Sequence, residues 1–192
     1  MISKDTLLSI NLFGSLNPKE WPFALAELPP GSALVGGSVR DGLLNKLSPK
    51  PDLDFVIPTN AIEFSEKLSK KINASFVKLD EKRNIARVVV NGWTLDFARQ
   101  VGKNLEDDLF RRDFRINAIA LKLKENPEIF DPTGGIDDLK SKKIVAISEK
   151  NLIEDPLRIL RGFRLMCELD FKLEKKTKSF LKKNADKLSN VA

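Results

Sequence analysis

Short apolar runs alternate with helically spaced ones along the 192 residues of the chain. The first thirty residues read as a helical lead-in closed by Pro29-Pro30-Gly31. Ser32–Val35 predicts a strand, and two glycines then lead into a helix ending near Lys46. Prolines at 49 and 51 exclude helix and place a loop before a second strand, Asp52–Ile57. Ile62, Phe64, Leu68 and Ile72 have helical spacing, with Thr59 or Asn60 as N-cap. Two further apolar runs, Ala74–Leu79 and Ile85–Val90, flank the charged segment Asp80–Asn84, and Asn91-Gly92 signals a tight hairpin into Trp93–Phe97.

Phe114–Ala120 predicts a short helix passing into a strand at Leu121–Leu123. Thr133-Gly134-Gly135 reads as a turn before a short acidic helix, and Lys143–Ile147 as a last strand. From Glu154 the pattern changes: Leu157, Leu160, Leu165 and Leu169 are helically spaced, and a second helix spans Glu174 to Leu188. The pattern as a whole predicts an α+β head over residues 1–150 and a helical extension over 151–192.

Composition narrows the chemistry. A hydrophobic content of 42% is that of a globular protein, and no apolar run approaches the ~18–20 residues of a membrane span. The N-terminus carries an acid and no sustained apolar core, so no signal peptide is read there. One cysteine, Cys167, excludes an internal disulfide and a cysteine-built zinc site, and fits a cytoplasmic protein. Histidine is absent, which removes His-dependent base catalysis and most zinc chemistry. Carboxylates, Arg, Lys and a metal remain. The net charge of +6 concentrates between residues 158 and 187, where ten Lys/Arg stand against four Asp/Glu. That surplus suggests a polyanion partner, although a solvated Lys-rich helix face accounts for it equally well.

Three constellations carry candidate chemistry. Asp52 and Asp54 lie two apart in a strand and so point to one side. Paired carboxylates repel unless a cation offsets them, and hard oxygen ligands suit Mg²⁺ together with a substrate's phosphates. The preceding Gly36-Gly37-Ser38-Val39-Arg40-Asp41 is a glycine turn feeding a helix N-terminus, where phosphate binds well. Across the predicted hairpin, Thr94, Asp96 and Ala98 share a face. Asp96 could therefore complete a set of three carboxylates able to hold two divalent ions. The second constellation is Arg111-Arg112-Asp113-Phe114-Arg115-Ile116-Asn117-Ala118: either a surface ion-pair cluster or a partly buried element offering Arg to phosphate and Asp or Asn to sugar hydroxyls. In the third, Glu154-Asp155-Pro156-Leu157-Arg158, proline and acids at a helix start are ordinary capping chemistry. Alternatively, Asp155 and Arg158 present an acceptor and donors to the edge of a base.

In this order the motifs resemble the class II tRNA nucleotidyltransferase (CCA-adding) and bacterial poly(A) polymerase family. The resemblance rests on Leu34–Asp41 with Asp52–Asp54, on Arg111–Ala118 with Arg115 where threonine is usual, on Asp131–Gly135 with Asp137-Asp138-Leu139, and on Glu154-Asp155-x-x-Arg158. It runs from about Ser32 to Arg164. It implies a nucleotidyltransferase head like that of DNA polymerase β, with a mixed sheet and flanking helices, followed by a helical neck. Carried over, Asp52 and Asp54 bind the catalytic metals, two Mg²⁺ ions or Mn²⁺, and Asp96 takes the third-carboxylate position. Gly36, Gly37, Ser38 and Arg40 hold the triphosphate, and Arg112, Asp113 and Asn117 contact ribose or phosphate. Glu154 orients a base-reading pair, Asp155 and Arg158, and Arg161 supports that surface. The segment Asp80–Arg87 lies where the family has a mobile hairpin tied to specificity. Family members continue into a helical body and tail that grip the tRNA elbow, so the neck of this chain is expected to be truncated by comparison.

The activity this implies is template-independent addition of CMP and/or AMP, from CTP and ATP, to a tRNA 3′ end. A poly(A) polymerase of the same family, or the C-adding or A-adding half of a split pathway, fits the same motifs. From another class comes a non-catalytic RNA-binding module, against which the three mutually repelling acids argue. Oligomeric state is not legible in the sequence.

Overall fold

The structure, a computed structural model, describes residues 4–190. They divide into two compact units, one formed by residues up to Leu105 together with Ala120–Phe130, the other by Glu106–Ile119 together with Asp131 onward. The partition cuts across chain order: residues 106–119 and 131–150 group with the helical stretch rather than with the sheet.

The first unit is built on a seven-stranded mixed sheet. In chain order its strands are β1 (Ala33–Val35), β2 (Leu53–Ile57), β3 (Ser75–Asp80), β4 (Ile85–Val90), β5 (Trp93–Arg99), β6 (Ala120–Lys122) and β7 (Glu128–Phe130), arranged spatially as β3-β4-β5-β2-β1-β6-β7. Only β2 and β5 run parallel; every other neighbour is antiparallel. Helices α1 (Lys4–Leu16), α2 (Gly37–Leu43) and α3 (Ala61–Lys71) complete this unit.

Alternation along the strands sends large apolar side chains to one face. Phe55 of β2 and Phe97 of β5 stack with centroids 4.9 Å apart, and Phe64 of α3 meets Phe97 edge-on at 5.1 Å. Trp21 and Phe23 close on Phe55 from the segment after α1. Burial of this cluster supplies the main driving force for the unit. The expected caps and turns are present: Asn60 Oδ1 accepts from the Glu63 amide at the start of α3, and Asn91 and Gly92 both take positive φ, as a two-residue hairpin requires.

The second unit contains α4 (Leu105–Phe110), α5 (Gly135–Lys140), α6 (Glu149–Glu154), α7 (Leu157–Leu169) and α8 (Lys175–Lys183), with the short parallel pair β8 (Lys143–Ile144) and β9 (Lys172–Leu173). Here several sequence expectations change. The helix expected at Phe114–Ala120 is a single 3₁₀ turn, Arg115–Asn117. Phe114 is instead bridged to Ala146, with the Arg115 amide donating to Val145 O and the Ile147 amide to Asp113 O. Those long-range bonds capture the backbone before a helix can propagate. The strand expected over Lys143–Ile147 is divided: Lys143–Ile144 pairs with β9, and Ala146 forms the bridge to Phe114. The final helix stops at Lys183, where Asn184 donates to Glu149 and to Phe180 O, and a 3₁₀ segment, Ala185–Asn190, follows. Elements α4, β7 and β9 are too short to show a period of their own. At the chain start, Met1–Ser3 of the expected helical lead-in lie outside the described residues.

Candidate nucleotidyl-transfer site

In the first unit the acidic end of β2 is the centre of the site. Val35 pairs with Asp54 across β1 and β2, and Asp54 pairs with Asp96 across β2 and β5. The strand expected from Asp52 begins at Leu53, so Asp52 lies just outside the ladder, exposed. Asp54 therefore lies at the start of β2, on the side opposite the Phe55–Phe97 stack, with Asp52 immediately before the strand.

Gly36 follows β1 with φ 76° and ψ −140°, a conformation open to glycine and hostile to residues with a Cβ. A Cβ there would stand 2.8 Å from Asp54 Oδ2. The glycine therefore lets the backbone approach the Asp54 carboxylate closely. Of the other residues expected at this turn, Gly37 opens α2, and Ser38 is buried with its hydroxyl lacking a partner among the described residues. Arg40 is buried and bonded to Asp41 through Nε and Nη2 at 2.8 and 3.0 Å.

Asp96 is on the expected face, but its two oxygens accept from Arg87 Nε at 2.7 Å and Nη2 at 2.8 Å. The hydrogen bonds to Asp96 raise the Arg87 pKa above its ordinary value, and the charges of Asp52 and Asp54 add to that. Asp52 and Asp54 suit a hard divalent ion; Asp96 has one hydrogen bond from the guanidinium on each oxygen, and no group of three or more His, Cys, Asp or Glu among the described residues is arranged to hold a metal. Arg87 is the residue that sequence reasoning missed here. The signal was available: counting outward from the Asn91-Gly92 turn pairs Val90 with Trp93 and, three steps on, Arg87 with Asp96.

The second unit holds the remaining candidates, several of them tied by hydrogen bonds. Asp108, 1% exposed, accepts from Arg112 Nη2 at 3.0 Å. Asp113 Oδ1 accepts from the Phe114 amide at 2.8 Å, and its Oδ2 from Arg161 Nη1 at 2.7 Å. Arg158 Nη1 donates to Arg111 O and Asn151 O at 3.0 and 2.9 Å, while Asn151 Nδ2 reaches Phe110 O and Arg112 O. Asn151 and Asp108 are thus structural hubs that the sequence did not single out; the only hint was Ser148 three residues before Asn151, whose hydroxyl caps α6.

Asp155 and Arg158 stand side by side. Asp155 Oδ2 lies 3.8 Å from Arg158 Nε, an ion pair beyond hydrogen-bond length, and Oδ1 accepts from the Leu157 amide. Burial lowers the Arg158 pKa, opposed by Asp113 and Asp155. With Nη1 fixed to backbone carbonyls, the guanidinium is held in one plane beside an acceptor oxygen. Glu154 does not join this pair: it is exposed and faces Lys150 at 3.7 Å. Asn117 lies on the 3₁₀ turn, half-buried.

Residues 32–104 and 96–145 match the poly A polymerase head domain family. Among curated proteins, a CC-adding tRNA nucleotidyltransferase of Synechocystis sp. is 44% identical over 171 residues, covering 89% of this chain and 41% of the relative. An A-adding tRNA nucleotidyltransferase of Deinococcus radiodurans is 41% identical over 161 residues, covering 84% of this chain and 36% of the relative. Among solved structures, a CCA-adding enzyme in complex with ATP superposes with TM-score 0.79 at 30% identity, over 96% of this chain and 48% of that one. The chain spans about two-fifths of the length of these curated relatives. With the family match extending over more than half of the sequence and carrying the glycine turn and both site carboxylates, the chain belongs to the poly A polymerase head domain family.

Proposed function

We propose that this chain carries the nucleotide-binding and catalytic part of a template-independent nucleotidyltransferase that adds CMP and/or AMP, from CTP and ATP, to the 3′ end of tRNA. The observation that carries the reading is the pairing of Asp52 and Asp54 beside Gly36, whose missing Cβ leaves room against Asp54. Relatives named CC-adding and A-adding tRNA nucleotidyltransferases support the substrate class, as do structures of a CCA-adding enzyme with ATP and with CTP. A tRNA nucleotidyltransferase complexed with a primer tRNA supports the acceptor. No helix among the described residues is long and apolar enough to cross a membrane, and the cytoplasm, where tRNA and nucleotides meet, is the proposed location.

Asp52 and Asp54 would hold Mg²⁺ or Mn²⁺. Such an ion, when bound, lowers the pKa of an attacking 3′-hydroxyl and offsets charge on the departing pyrophosphate. The turn at Gly36, Gly37 and Ser38, with Arg40, would receive the triphosphate, and Arg112 and Asn117 the ribose or phosphate; Asp113, buried with both oxygens bonded, would instead hold Arg161 in place. Asp155 and Arg158 would select the base, since an acceptor fixed beside planar donors matches the complementary edge of a cytosine or an adenine.

Calorimetric titration with ATP, CTP, GTP and UTP in Mg²⁺ tests the reading. CTP and/or ATP should bind in preference to GTP and UTP, Asp54→Ala should weaken binding, and Arg158→Ala should remove the preference. A folded chain that binds RNA but no nucleotide would overturn it in favour of a non-catalytic RNA-binding module.

A further inference from the structure

The hairpin of β4 and β5 places a protein cation against the third carboxylate. Arg87 and Asp96 are direct cross-strand partners, and the fork–fork geometry, 2.7 and 2.8 Å through Nε and Nη2, uses both Asp96 oxygens. Charge-assisted bidentate pairs of this kind are among the stronger hydrogen bonds in proteins. Their strength is greatest where burial limits competition from water, and here the Asp96 side chain is 21% exposed and that of Arg87 40%. Asp52 and Asp54 act on the same guanidinium through space. Three acids at one end of two parallel strands would repel one another strongly; a fixed guanidinium offsets that repulsion without any bound ion.

We propose that Arg87 is a built-in cation of the nucleotidyl-transfer centre, holding Asp96 out of the metal-ligand set so that divalent ions are bound by Asp52 and Asp54 alone. The inference rests on the function proposed above and concerns the composition of that same site. Arg87 acts through Asp96 and is a positioning residue: it fixes the third carboxylate, and its charge does at that position what an ion would do elsewhere. Replacing Arg87 by a neutral residue should therefore convert Asp96 into a ligand.

Mn²⁺ binding, followed by electron paramagnetic resonance in the presence of CTP or ATP, reads this directly and needs no turnover. Asp96→Asn, which keeps the shape of the side chain, should leave Mn²⁺ affinity and stoichiometry within about twofold of the unsubstituted chain, whereas Asp54→Asn should weaken binding by at least about tenfold. Arg87→Gln should tighten Mn²⁺ binding by about tenfold or add an ion, and the double variant Arg87→Gln/Asp96→Asn should lose that gain, showing that it comes from the released carboxylate. Circular dichroism of each variant verifies the fold. If Asp96→Asn weakens Mn²⁺ binding as much as Asp54→Asn, or if Arg87→Gln leaves it unchanged, the inference is overturned while the nucleotidyl-transfer reading stands. Unchanged Mn²⁺ binding in Asp54→Asn would overturn both.

Discussion

Arg161 and Asp113, forty-eight residues apart in the chain, are joined by a 2.7 Å hydrogen bond from Nη1 to Oδ2. The two ends are unequal: the Asp113 side chain is 3% exposed and that of Arg161 42%. Because Asp113 spends its other oxygen on the Phe114 amide, it fixes the 3₁₀ turn and α7 to each other inside the second unit. Arg161→Ala leaves a buried carboxylate with one donor and should cost about 2–3 kcal/mol. The midpoint of urea unfolding checks this, and a shift no larger than that of an ordinary surface substitution would show that water replaces Arg161.

Gly36→Ala has two costs. The alanine would hold an unfavourable backbone conformation, worth about 1–3 kcal/mol, and its Cβ would stand 2.8 Å from Asp54 Oδ2. The carboxylate must move, so nucleotide-dependent Mn²⁺ binding should weaken together with thermal stability. A variant that loses stability while keeping full Mn²⁺ affinity would show that the close approach plays no part in the site.

Gly162 lets α7 pack closely on Phe114. A Cβ there would lie 2.8 Å from Phe114 Cζ and 3.0 Å from Leu181 Cδ1. Gly162→Ala should destabilise the chain by about 1–3 kcal/mol through overpacking, and Phe114→Leu in the same chain should recover part of the loss. Thermal unfolding of the three variants distinguishes relief from simple addition.

Asp138 titrates against burial. Its residue is 8% exposed, one carboxylate oxygen has no hydrogen-bond partner among the described residues, and burial raises its pKa, with Arg115 opposing. The folded chain therefore keeps this proton to higher pH than the unfolded chain does. Between the ordinary carboxylate value and the raised one, the folded state binds more protons, so the contribution of Asp138 to stability falls as pH rises through that window. Glu149 and Glu174, lowered by their hydrogen bonds to Asn184 and Lys183 and to the first turn of α8, slope the other way, so variants must be compared with the unsubstituted chain. Relative to it, Asp138→Asn should gain stability at neutral pH, and Arg115→Thr, which removes the opposing charge, should widen the window. Urea midpoints measured between about pH 4 and pH 7 decide it; parallel curves for all three proteins would show that Asp138 stays charged throughout.

The sequence by itself determined the elements whose signals are local. The Asn91-Gly92 hairpin, the cap at Asn60, the glycine turn after β1 and the apolar periods of α3 and α7 are written within a few residues, so each was legible without a neighbour. A two-residue spacing in a strand predicts one side for Asp52 and Asp54; of the two, Asp54 lies in β2 and Asp52 just before it. The tertiary structure alone decided matters settled by partners distant in the chain. Phe114–Ala120 reads as helix, yet backbone bonds to Val145 and Ile147 hold it as a bridge and one 3₁₀ turn. Lys143–Ile147 reads as one five-residue strand, yet its first two residues pair with β9 while Ala146 meets Phe114 in an isolated bridge. Glu154 reads as part of a base-reading set, yet it turns to Lys150. Asp96 is the clearest case: its strand and face follow from pattern, but a carboxylate offers the same oxygens to a metal or to a guanidinium. The ladder sets Arg87 opposite it, and both Asp96 oxygens accept from that guanidinium.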